Sequence, residues 1–173
     1  MFPGLDDLIE TLRRRGKNPV DEREARSVDT FLTELARLER PFDEHADPVH
    51  VTASALITGI RGVILLKHKK LGIWVQPGGH IDEGETPADA AVRESVEETG
   101  LPVSLLKNQA VQVDVHPGPR GHTHLDIRFL CTVPDDDPRP PEGESQEVFW
   151  FGWPQAIEMA DDGLRGLLIA RQP

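Results

Sequence analysis

Four glutamates, Glu85, Glu94, Glu97 and Glu98, fall at short intervals in residues 79–101, GHIDEGETPADAAVRESVEETGL. On a helix the last three stand three and four positions apart, so their side chains converge on one face with Cβ atoms about 5–6 Å apart. Like charges at that spacing repel and weaken an ordinary helix. A hard divalent cation with oxygen ligands turns the same crowding into a binding site. The plain alternative is a solvated acidic face. That alternative gives no role to the paired glycines Gly78 and Gly79, to the remote Glu85, or to Arg93 between the acids.

The element that must hold these acids is legible. Thr86 suits an N-cap, Pro87 the first helical position, and Asp89 the third position of an acidic capping box. Gly100 suits the left-handed residue that ends a helix. The spacing therefore predicts a helix over 87–99, with Ala88, Ala91, Val92, Ser95 and Val96 forming a small and apolar stripe that lies on a sheet. Before it, Gln76-Pro77-Gly78-Gly79-His80 reads as a loop whose glycines permit a backbone that side chains would block.

The order Gly79, five residues, Glu85, seven residues, Arg93-Glu94, two residues, Glu97-Glu98, one residue, Gly100 and then Leu101 resembles the Nudix box. That box is the signature of Mg2+-dependent hydrolases that cut a diphosphate linked to another group. One position departs from the pattern: Ser95 stands where the family prefers an apolar residue. The resemblance implies an α/β fold, an α/β/α sandwich with a mixed sheet. It also implies Mg2+, with Mn2+ as a substitute, held by Glu94, Glu98, Glu97 and the carbonyl of Gly78. By the same resemblance Arg93 orients Glu94, and Glu85 reaches back from the loop as a further ligand or orienting partner. Several members place a metal ligand or base in a late loop. Glu144 and Glu147 are the candidates here, and Glu147 is taken as the match.

The substrate implied is a small nucleotide, a nucleoside diphosphate linked to X. Pro117 stands about sixteen residues beyond the box, as in the ADP-ribose pyrophosphatase subgroup. The chain has no tyrosine, the residue that the dinucleoside polyphosphate subgroup uses in that neighbourhood. The motif and the cysteine zinc site of the NADH pyrophosphatases are absent. A nucleoside triphosphate, ordinary or oxidised, fits as well as ADP-ribose. Two rivals share the fold: a non-catalytic nucleotide-sensing module, and an isoprenoid diphosphate isomerase. Sensing modules usually lose box glutamates, and the isomerase needs a loop cysteine.

Composition bounds the rest. The 173 residues carry a formal net charge of −11 and a single cysteine. Sparse basic residues argue against a nucleic-acid groove. No run of about 18 apolar residues is present, so no membrane span is expected, and residues 1–15 lack the apolar core of a signal peptide. Cys131, in an apolar run, has no internal partner, and a cytoplasmic setting fits.

Residues 1–47 read as a helical extension preceding a Nudix domain at 48–173. Leu5, Leu8, Ile9 and Leu12 have helical spacing, and Asp21 begins a second stretch striped by Val28, Phe31, Leu32, Leu35 and Leu38. Such helices pack on the catalytic domain or form a homodimer interface. Strands are expected at 49–57, 62–67, 71–75, 103–115, 124–133 and 148–151, with helices at 156–161 and 164–170 and a Pro-rich acidic loop at 134–146.

Along 122–128, His122, His124, Asp126 and Arg128 alternate with apolar residues and share one face of a strand. The reading taken is a polar face lining the substrate cleft. The alternatives are a transition-metal site of two His and one Asp, and an ordinary solvated face. The basic run Lys67 to Lys70 could meet phosphate or be a solvated hairpin tip. Trp74 is expected beneath the loop, with Trp150 and Trp153 at the core or rim.

Overall fold

Alternation of apolar and polar residues in β-branched segments builds one mixed sheet, and short amphipathic helices cover both of its faces. The computed structural model describes residues 4–173, so the first three residues of the extension lie outside the described residues. The strands are β1 (Val49–Gly59), β2 (Gly62–Lys67), β3 (Trp74–Val75), β4 (Gly78–His80), β5 (Ser104–Pro117), β6 (Thr123–Thr132) and β7 (Val148–Phe151). Their order is β3-β2-β1-β6-β5, with β4 paired to β1 and β7 paired to β2. β1 and β6 run parallel, and the other pairs of these strands are antiparallel.

The helices are α1 (Leu5–Lys17), α2 (Glu22–Leu35), α3 (Pro87–Thr99), α4 (Trp153–Met159) and α5 (Asp162–Arg171). On one face Val51, Ala53, Ala55 and Ile57 of β1 meet Ala88 and Ala91 of α3, together with Leu8, Leu12, Val28 and Phe31 of the extension. On the other, Leu56, Val63 and Leu65 meet Ala156, Leu164, Leu167 and Leu168 of α4 and α5. The result is the α/β/α sandwich that the box implied.

The extension closes an edge. β5 ends the sheet, and its outward N–H groups would otherwise offer a template for another strand. Glu24 and Ser27 of α2 cover them: the Val113 N–H donates to Glu24 Oε1 at 3.1 Å and the Val115 N–H to Ser27 Oγ at 3.2 Å. Glu24 is fully buried. It accepts both arms of Arg15 at 2.7 Å and the Val20 N–H at 2.6 Å. Arg23 reaches past it to Asp114, Nε to Oδ1 at 2.6 Å.

The helix over 87–99 forms with the expected capping box, and Gly100 takes φ 67°. Three local expectations differ. The strand at 71–75 shrinks to Trp74–Val75, because residues 68–73 turn back on themselves through His68 and Ile73. The Gly-Gly segment is a short strand rather than a free loop, since β1 accepts it as a partner. The two C-terminal helices begin earlier, after Gly152 and Asp161, and the Asp161 side chain caps the second by accepting from the Leu164 N–H.

Glu24→Ala removes the partner of the half-buried Arg15 and strips acceptors from Val20 and Val113. Unfolding in urea should show a loss of about 3 kcal/mol, while Glu22→Ala on the exposed face of the same helix stays within about 0.5 kcal/mol of the parent.

Candidate active site

Gly78 and Gly79 let β4 press against both the sheet and α3. A Cβ on Gly78 would collide with Ser54 and Ala53, and one on Gly79 would lie 2.5 Å from the Glu94 carboxyl carbon. The acids of α3 therefore meet backbone, with no side chain between.

Arg93 organises them. Its Nε and Nη2 grip both oxygens of Glu85 at 2.8 and 3.0 Å. Nη1 donates to Glu94 Oε1 at 2.7 Å and to Glu97 Oε2 at 3.5 Å, and Nη2 also donates to the His80 carbonyl at 2.9 Å. A planar fork with five donors suits this task, where a lysine could not span it. The hydrogen bonds that Arg93 donates to Glu85, against the cost of burial, raise the Arg93 pKa well above its ordinary value and lower that of Glu85.

Glu98 lies deeper. Its Oε2 accepts from the Gly78 N–H at 2.9 Å. Burial pushes its pKa up to about 8, with Glu94 and Glu144 adding to the rise and Gly78 and Lys69 opposing it. Burial likewise raises Glu94, against the pull of Arg93. Two half-buried carboxylates thus face each other's field, with Arg93 bonded to Glu94 and Lys69 acting on Glu98. The carboxylate oxygens with the carbonyl of Gly78 match what a hard divalent cation takes.

Glu85, Arg93, Glu94, Glu97 and Glu98 come together as the sequence requires. Glu147 does not join them directly: it is exposed and pairs with Lys67 at 3.0 Å. The late-loop charge that acts on Glu98 is Glu144, which lies 3.9 Å from Lys69. The basic run at Lys67–Lys70 therefore meets the acidic loop. Asp126 and Arg128 are buried and fully engaged. Asp126 accepts from Thr52, Ser54 and Arg128 at 3.1, 2.7 and 3.0 Å. Arg128 donates to Gln112 at 2.7 Å and to the Gly163 carbonyl. Their link to the loop is Gln76, whose amide nitrogen lies 3.2 Å from Ser54 Oγ and 3.4 Å from Asp126 Oδ2. Nothing in the linear spacing signals this network, because Ser54, Gln76, Gln112 and Asp126 come from four separate segments.

Asp114 sits beside it. Burial would raise its pKa, but His116, Arg23 and Arg128 hold it well below the usual carboxylate range. Cys131 is buried mid-strand, and burial pushes its thiol up to about 12, so it is inert. Trp74 packs edge-on against Phe151 at 4.8 Å. The Trp150 ring carries Arg61 at 5.5 Å from its centroid.

Residues 48–169 match the family model described as the NUDIX domain. The chain belongs to the Nudix family. A Mycobacterium tuberculosis protein named as a putative 8-oxo-dGTP diphosphatase 3 is 46% identical over 100 residues, 50% of this chain and 43% of that one. A putative 8-oxo-dGTP diphosphatase of Bacillus subtilis is 46% identical over 43 residues, 25% of this chain and 29% of that one. The chain thus spans less than half the length of these two curated relatives. A NUDIX-family hydrolase from Clostridium perfringens superposes with a TM-score of 0.61 at 26% identity, covering 70% of this chain and 92% of that one. Among the described residues, no helix of this Nudix chain is long and apolar enough to cross a membrane.

The raised Glu98 pKa has a thermodynamic sign. A carboxylate whose folded pKa lies above its unfolded value stabilises the fold fully below the unfolded pKa, and that contribution disappears as pH rises through the folded pKa. With divalent cations chelated, the unfolding midpoint should fall from pH about 5 to about 9 more in the parent than in Glu98→Gln. Calorimetric titration of Mg2+ near neutral pH, in buffers of different ionisation enthalpy, should register proton release in the parent and less in Glu98→Gln.

Proposed function

We propose that this chain is a Mg2+-dependent nucleotide pyrophosphohydrolase. It would hydrolyse a nucleoside diphosphate linked to X, with a nucleoside triphosphate, ordinary or oxidised, as the first substrate class. The observation that carries this reading is the half-buried pair Glu94 and Glu98, both raised in pKa by burial, beside Arg93 and the Gly78 backbone. A merely acidic surface would leave both ionised in solvent. The names of the M. tuberculosis and B. subtilis relatives favour the triphosphate over ADP-ribose.

Glu94, Glu97, Glu98 and the carbonyl of Gly78 would hold the cation. When bound, it supplies charge neutralisation and Lewis acidity toward the phosphate oxygens. That neutralisation matters because a chain of net charge −11 otherwise repels its polyanionic substrate. Arg93 holds Glu94 in one orientation and ties Glu85 and the His80 carbonyl to it, so the acids keep their spacing through turnover. A carboxylate within hydrogen-bond reach of the attacking water takes its proton. Glu144 or Glu147 can supply the base from the late loop. On this reading Asp126 and Arg128 act on the substrate only indirectly, by positioning Gln76 before the Pro-Gly-Gly turn. His124 borders the same side of β4.

A panel of nucleoside triphosphates, 8-oxo-dGTP, a dinucleoside tetraphosphate and ADP-ribose, assayed with Mg2+ and product identification, tests the reading. The expected result is a nucleoside monophosphate with pyrophosphate from the triphosphates, and loss of turnover by at least about 100-fold in Glu98→Gln at unchanged fold. Binding of nucleotide without any cleavage would make the chain a sensing module instead. Glu144→Gln and Glu147→Gln separate the late-loop roles: whichever lowers kcat far more than it raises KM belongs to the mechanism, and an unchanged kcat removes that residue from it.

A further inference from the structure

On the opposite side of β4 from the glutamates, three histidines converge. His50 heads β1, His80 ends β4 and His124 begins β6. Pairing of His50 with His124, and of Thr52 with His80, sets all three on the same face of the sheet. Their ring centroids lie 5.2, 5.2 and 5.4 Å apart. One nitrogen from each lies within 4.8 Å of the other two.

The protonation state is readable from the bonds. His50 is fully buried, and its Nδ1 lies 3.2 Å from the Asp47 carbonyl. A carbonyl only accepts, so Nδ1 carries the proton and Nε2 of the neutral ring presents a lone pair. That Nε2 is buried and has no hydrogen-bond partner among the described residues, and the same holds for Nε2 of His80 and of His124. A Glu44 oxygen stands 3.5 Å from His80 Nε2, without hydrogen-bond geometry. Burial lowers the pKa of His50 and His80 and pushes that of His124 down to about 3, with His116 adding to it. Neutral imidazoles lack the positive charge that would draw a phosphate. Three buried and unsatisfied ring nitrogens are costly unless something fills them.

We infer that His50, His80 and His124 bind a divalent transition-metal ion of the zinc class, with Glu44 as the adjoining carboxylate, at a site separate from the carboxylate box. Imidazole donors select such ions over Mg2+, whereas the box presents only oxygen. Zinc–nitrogen bonds of about 2.0–2.1 Å in a tetrahedron put neighbouring nitrogens about 3.3 Å apart, so the rings close by small side-chain rotations. The Asp47 carbonyl fixes the His50 tautomer as such a ligand needs. Glu44 lies in the segment between α2 and β1, so the ion pins that connector, β1, β4 and β6 together. It fastens β4 from behind, while Gly79 faces Glu94 in front.

The test uses the full chain. Protein stripped with chelator is titrated with Zn2+ alone, and with Co2+ for its visible spectrum, both in excess Mg2+. The expected result is one ion per chain, a tetrahedral cobalt spectrum and a raised unfolding midpoint. His124→Gln and His50→Gln should each weaken Zn2+ binding by about 100-fold or more, while Glu98→Gln leaves it within a factor of about two. Absence of stoichiometric binding by the folded parent overturns the inference. So does Zn2+ binding that survives the histidine changes or vanishes with Glu98→Gln. Should a histidine variant fail to fold, X-ray absorption on the parent decides: nitrogen ligation supports the site, and an all-oxygen shell overturns it.

Discussion

The close approach of β4 to β1 at Gly78 is the constraint on which the rest depends. With no Cβ at Gly78 or Gly79, the short strand fits between Ser54 behind and Glu94 in front. Strand alternation then divides the chemistry. Gly79 turns toward the acids of α3, and His80 turns toward His50 and His124. A side chain at Gly78 would push β4 off β1, and one at Gly79 would displace the Glu94 carboxylate.

Charge in this acidic chain is managed by a few arginines placed where burial makes them effective. Arg93 serves Glu85, Glu94 and a backbone carbonyl together. Arg128 and Arg23 do the same for Asp126 and Asp114 beneath β6 and β5. Exposed pairs such as Glu10–Arg13 contribute little by comparison, because water screens them. Glu98 has no arginine bonded to it among the described residues, and burial raises its pKa. The extension applies the same device to the backbone, with Glu24 accepting from Val113 on the edge strand and from Arg15.

The helix 87–99 and its caps were legible because capping and apolar spacing are local. Cys131 and most strands were legible for the same reason, through alternation within each segment. Glu85 to Glu98 were legible as a cluster because a helix converts sequence distance directly into spatial distance. The strand character of Gly78–His80 was not, since three residues carry no period and pairing comes only from β1. The alternation of His122, His124, Asp126 and Arg128 points to a polar face lining the cleft. Asp126 and Arg128 are instead spent on Thr52, Ser54 and Gln112, partners that no linear pattern connects to them.

The chain by itself determined the acidic helix and the arginine among its carboxylates, because each is encoded within a stretch a few turns long, while the α/β/α architecture followed from the resemblance those residues carry. Only tertiary structure decided the rest. It buried Glu98 against the Gly78 amide, set Glu144 rather than Glu147 in its field, and gathered His50, His80 and His124. The physical reason is that burial and long-range juxtaposition depend on which strands become neighbours. Sheet order, unlike helix period, is not written in the spacing of residues along the chain.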